Sequence, residues 1–146
     1  MSVAVNAEAE PSWLTIARGE LGVSEHPGAE SNPRILEYLR AVDDDRLGDE
    51  EAWCSAFGCW CFEQAGVRSP QCKQARGWLH WGVSLSQPRV GCVVVLSRPP
   101  ETWTGHMGFY LGPSHGLQLL SGNCQNAVRI AHYDLDRLLG YRWPAV

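Results

Sequence analysis

The chain has 146 residues, 45% hydrophobic and 19% charged, with a net charge of -4. That is enough to bury a core without staples, and the acidic balance argues against a nucleic-acid binder, for no basic stripe exists to neutralise phosphates. No apolar stretch approaches the roughly 20 residues of a membrane span, and the opening "MSVAVNAEAEPSW" lacks the basic start and apolar centre of a secretory signal.

Residues 1–10 read as a disordered leader. From Pro11, the spacing of Trp13, Leu14, Ala17 and Leu21 predicts a helix with Ser12 as N-cap and Gly22 as stop. "VSEHPGAESNP" reads as a loop. "NPRILEYLRAV" predicts a second helix, with Asn32 as N-cap and Pro33 at the first helical position. After a polar loop from Asp43 to about Glu51, "CSAFGCWCFEQAG" predicts a third, apolar helix closed by a left-handed Gly66. "QARGWLHWG" predicts a fourth, shorter helix closed at Gly82.

Strands follow: Val90 to Leu96, bounded by Pro88 and the pair Pro99-Pro100, then His106 to Gly112, Leu117 to Asn123, Ala127 to Tyr133 and Leu139 to Pro144. Helices first and a run of strands afterwards describe an α+β domain with a mainly antiparallel sheet, spanning residues 11–146. The seven tryptophans read first as packing residues, and second as walls of a groove.

Six cysteines in a chain this apolar do not make a disulfide scaffold. Three of them crowd "EEAWCSAFGCWCF", Glu50 to Phe62. On a helix Cys59 lies about 140° from Cys54, and Cys61 lies near the Cys54 face but roughly 10 Å further along. That is too far for a disulfide or a shared metal. "CWC" also lacks the C-x-x-C spacing of zinc and redox motifs. Cys59 and Cys61 therefore read as small core residues.

Cys54 differs, because it stands where the polar "DEEAW" gives way to the apolar helix. A thiol at a helix N-terminus is favoured as thiolate, the reactive form. A nucleophilic cysteine also needs a histidine from a distant part of the chain. His106, opening a strand in "TGHMGFY", is better placed than His26, His80, His115 or His132. A third group should orient the imidazole: Asn123 in "LLSGNCQN" is the first choice, with Asn126 and Ser121 behind it.

The succession "AWCSAF…C…AG", "GCVVVL", "GHMGFYLG", "LLSGN" and "LLGYRWP" resembles the papain-like cysteine hydrolases of bacterial cell walls, the CHAP and NlpC/P60 superfamily. The similarity is greatest to the small single-domain branch of phage lysins and secreted antibacterial effectors. It implies a papain-like fold, N-terminal helices packed on a C-terminal antiparallel sheet. It implies Cys54 as nucleophile, His106 as general base and Asn123 as orienter, with the backbone N–H groups of Cys54 and Ser55 holding the oxyanion. Trp53 and Trp103 would line the substrate groove. The substrate implied is a peptidoglycan peptide, cut at an amide bond by an endopeptidase or amidase. No metal or organic cofactor is required. The expected protein is a monomer made in the cytoplasm, reaching periplasm or wall through a holin or secretion system, with an immunity protein as a further partner.

Two departures stand out. Cys92 replaces an acidic residue before the valines, and Cys124 stands where a glutamine is common. Two buried thiols are the simplest reading, a Cys54–Cys124 disulfide the alternative. Competing functions on the same scaffold are acyl transfer, and peptidoglycan binding without activity.

Overall fold

The computed structural model describes residues 10–25, 32–42, 50–113, 116–124 and 126–145, with backbone alone at Glu50, Glu51, Ala52, Glu101, Trp103 and Asn123. The expected leader, the centre of the "VSEHPGAESNP" loop and most of the polar loop after Asp43 lie outside these residues.

Three α-helices come first: α1 (Ser12–Arg18), α2 (Pro33–Arg40) and α3 (Glu50–Gln64). In α2 the Asn32 side chain accepts from the Arg34 N–H at 2.9 Å, Pro33 opens the helix, and Ile35, Tyr38 and Leu39 form its buried stripe. Helix α1 differs from expectation. Pro11 is the capping residue, Ser12 lies inside the helix, and the chain leaves it at Gly19, so Leu21 is outside and exposed.

Helix α3 is buried continuously from Trp53 to Phe62, as a helix that is apolar all round must be. It begins four residues before the expected start at Cys54, and Gly66 beyond its end has the expected positive φ of 78°. The expected fourth helix is a 3-10 turn, Ala75–His80.

A six-stranded antiparallel sheet follows, in the order β1-β6-β2-β3-β4-β5. Its strands are β1 (Val83–Leu85), β2 (Val93–Arg98), β3 (Glu101–Gly112), β4 (Leu117–Cys124), β5 (Ala127–Tyr133) and β6 (Leu138–Trp143). Five were expected. Strand β1, a three-residue edge paired to β6, is too short to show a period.

The helices pack on one face of the sheet. There Val93, Val95, Met107, Phe109, Leu120 and Val128 join Leu14, Tyr38, Phe57, Phe62 and Trp78 in the main core. The other face carries a second cluster of Cys92, Val94, Leu96, Tyr110, Leu117, Leu119 and Tyr141. Alternation along β3 thus sends Met107 toward α3, while His106, paired with Leu96 of the second cluster, belongs to the opposite face.

Two glycines bring α3 hard against the sheet. A Cβ on Gly58 would lie 2.7 Å from Met107 Cε, and one on Gly122 would lie 2.7 Å from Phe57 Cβ. Without those carbons the helix settles between β3 and β4, and Cys54 is carried with it.

Candidate active site

Cys54 is the fifth residue of α3 and 2% exposed. A helix leaves its first four N–H groups without intrahelical partners. The N–H groups of Cys54 and Ser55, expected to hold an oxyanion, therefore lie inside the helical ladder rather than at its open end.

The neighbour of the thiol is the backbone of β3. Tyr110 exchanges backbone hydrogen bonds with the residues just before β2, its N–H donating to Cys92 O and its carbonyl accepting from Gly91. The N–H groups of Phe109 and Met107 therefore point to the β4 side. Pairing of β3 with β4 ends at Phe109 and Leu120. Beyond that point the Met107 N–H is directed at the Cys54 sulfur. Burial nevertheless pushes the thiol pKa up, outweighing the Met107 N–H and the charge of Arg98, which pull it down. The resting thiol is protonated, against the expectation of a helix-start thiolate.

His106, the residue before Met107, is 3% exposed. Its Nε2 lies 2.9 Å from Ser121 Oγ on β4 and 3.3 Å from Tyr133 Oη on β5. Burial, then the charges of Arg98 and Arg137, push its pKa down to about 3. Both groups are therefore neutral, with Arg98 acting on both, but the imidazole belongs to the face of the sheet opposite α3 and meets Ser121 and Tyr133.

Ser121, behind Asn123 in the sequence reading, is thus the group that meets the imidazole. Asn123 lies two residues further along β4, and its side chain is outside the described residues. Asn126 is an exposed turn residue at φ 65°, a left-handed position asparagine tolerates. Tyr133 carried no signal in the sequence. A phenol on a strand is ordinary until register brings it under the histidine. His80 and His132 are exposed, whereas His26 and His115 are outside the described residues.

Trp53 is a core residue rather than an exposed groove wall. It is 2% exposed, its ring stacks on Tyr38 at 6.0 Å, and its Nε1 donates to Glu25 Oε2 at 2.8 Å. The side chain of Trp103 is outside the described residues.

The residue after the thiol is held on the inner side of α3. Ser55 Oγ donates to Cys72 O at 2.5 Å and accepts from Trp78 Nε1 at 2.8 Å. Cys59 and Cys61 are fully buried, and none of the six cysteines is in a disulfide. Cys92 lies in the second cluster, while Cys124 accepts from Tyr133 Oη at 3.5 Å, one residue removed from the imidazole. Among the described residues no group of three or more His, Cys, Asp or Glu is placed to hold a metal ion, and no helix is long and apolar enough to cross a membrane.

Comparison of the chain with protein-family models and with curated proteins gives no match.

Proposed function

We propose that this chain is a papain-like cysteine hydrolase of the CHAP and NlpC/P60 type, cutting amide bonds of bacterial peptidoglycan. One observation supports it above the rest. Cys54 meets the backbone of β3 at Met107, and the residue before that contact is a buried histidine whose Nε2 is tied to a hydroxyl. A cysteine one backbone residue from a buried histidine, with a hydroxyl on the imidazole, supplies the residue types that acyl transfer needs.

Reaction requires the His106 ring and Cys54, which belong to opposite faces of the sheet at rest, to come together, and the nitrogen proposed to face the thiol is then Nδ1. It takes the sulfur's proton as sulfur attacks the carbonyl carbon, and the tetrahedral intermediate collapses to a thioester. The amine leaves with that proton. Water then adds to the thioester, giving its proton to Nδ1. Collapse releases the acid and returns the proton to sulfur. General-base attack of this kind starts from a neutral pair, consistent with the directions in which burial moves both groups.

Purified sacculi test the reading. Incubation should release new amine and carboxyl ends, located by mass spectrometry of muropeptides, and Cys54→Ala should release none. Coupling to an added amine in place of hydrolysis would assign acyl transfer instead. An unchanged muropeptide profile would refute both.

A further inference from the structure

Ser55, Cys59 and Glu63 follow one another at intervals of four on α3, so they line one side of the helix. The outer two are tied to the segment Ser69 to Cys72. Ser55 Oγ donates to Cys72 O at 2.5 Å and lies 3.8 Å from Cys72 Sγ. Glu63 Oε2 accepts from Ser69 Oγ at 2.6 Å. The segment therefore runs back along the helix, and Cys59 lies between its two attachments. Gln71 in that segment has a φ of 51°, and a left-handed residue lets successive N–H groups converge on one point. The N–H groups of Gln71 and Cys72 are directed at the Cys59 sulfur.

Cys59 is fully buried and Cys72 half-buried. At rest the Cys72 thiol donates to Gln74 O at 3.4 Å. It fills the space left by Gly77, where a Cβ would lie 2.7 Å from its sulfur. A Cys59 sulfur facing the Cys72 N–H brings the two Cα atoms toward the separation of roughly 4.4–6.8 Å that a disulfide spans. Burial pushes both thiols up, Cys59 to about 12, so both are protonated at neutral pH.

We infer that Cys59 and Cys72 are a redox pair: a disulfide between them fastens the segment Ser69 to Cys72 to the middle of α3, the helix that carries Cys54. The oxidant is a small disulfide of the glutathione class. The Cys72 sulfur, the more accessible of the two, gives up its proton and attacks that reagent. A mixed disulfide forms, and one reduced thiol leaves with the proton. Rotation about the Cα–Cβ bond of Cys72 turns its sulfur from Gln74 toward Cys59. Cys59 then attacks the Cys72 sulfur, and the second reduced thiol leaves with the Cys59 proton. The chain loses two electrons and two protons, and the reagent gains both. Cys54 is not a partner, because its sulfur meets Met107 on the sheet. The inference does not rest on the hydrolase reading.

Oxidised glutathione at pH 8, added to the full-length protein, tests it. After quenching with iodoacetamide in denaturant, fragmentation spectra should show Cys59 joined to Cys72, with Cys54 alkylated. The melting temperature should rise by about 5–10 °C, as for a disulfide closing a short loop, and dithiothreitol should reverse the rise. Cys59→Ala should stop at the mixed disulfide on Cys72. Cys72→Ser should show neither cross-link nor rise, and serves if Cys59→Ala fails to fold. Cys59 and Cys72 both alkylated in the oxidised wild type would overturn the inference. So would a Cys72 adduct that never resolves there, or a bond from Cys72 to Cys54.

Discussion

Ser121 Oγ lies 2.9 Å from Nε2 of His106, with both side chains buried. The strand after the histidine thus supplies its partner two residues before Asn123. Removing that hydroxyl leaves a buried ring nitrogen without its nearest partner, at a cost of about 1–3 kcal/mol. Ser121→Ala should lower turnover on sacculi by about 10- to 1000-fold, the range of a lost positioning contact, and should lower the urea midpoint. Wild-type turnover in Ser121→Ala, with a large loss in Asn123→Ala, would return the orienting role to Asn123.

Cys54 and Cys59 separate chemistry from packing. Both are buried, so either alanine variant costs on the order of 1–2 kcal/mol of stability. Cys54→Ala should abolish hydrolysis, and Cys59→Ala should retain it. Because the thiol is protonated and covered, iodoacetamide at pH 6 should label Cys54 slowly in the resting protein, with the modified residue located by peptide mass spectrometry. Rapid labelling there would mean a thiolate that burial does not permit.

Acid should unfold the protein through His106. Its folded pKa is about 3, against about 6.5 for an unperturbed histidine. Between those values the unfolded chain binds a proton that the folded chain refuses, so stability falls as pH falls, by about 1.4 kcal/mol per unit. Above about pH 6.5 the group contributes no slope. Between pH 7 and 5 the wild type should lose about 2 kcal/mol more than His106→Asn, measured by urea titration at each pH. Equal losses in the two proteins would mean the histidine is not held neutral by its surroundings.

Gly122 sets the approach of α3 to β4. An added Cβ would lie 2.7 Å from Phe57 Cβ and 3.2 Å from Trp53 Cε3, and overpacking of this kind costs about 1–3 kcal/mol. Relief must come from α3 moving away, taking Cys54 with it. Gly122→Ala should lower both the melting temperature and kcat, whereas Gly66→Ala, at a positive φ with nothing near its Cβ, should lower the melting temperature alone.

A wall hydrolase is harmless where there is no wall. Expression in the bacterial cytosol should be tolerated, the same chain fused to an export signal should lyse or round the cells, and Cys54→Ala should cancel that effect. Toxicity confined to the cytosolic form would sink the wall-hydrolase reading and point to an amide or thioester substrate in the cytosol.

Local chemistry wrote much of this fold into the sequence. Asn32-Pro33 can start a helix and little else, Gly66 and Gly82 close their segments because they alone enter positive φ cheaply, and the three valines and leucine after Cys92 demand burial on both faces. Cys54 and His106 were legible as candidates because nucleophile and base chemistry is carried by few residue types. What surrounds them was not. Strand register gave His106 its partner: a slip of one residue would send Ser121 to the other face, and no local pattern reports the bulge between Ser121 and Cys124. Burial reversed the expected thiol chemistry, because desolvation depends on everything packed over Cys54, whereas the sequence shows only the end of one helix. The row from His106 through Ser121 and Tyr133 to Cys124 draws on three strands, and only their pairing decides that these four side chains meet.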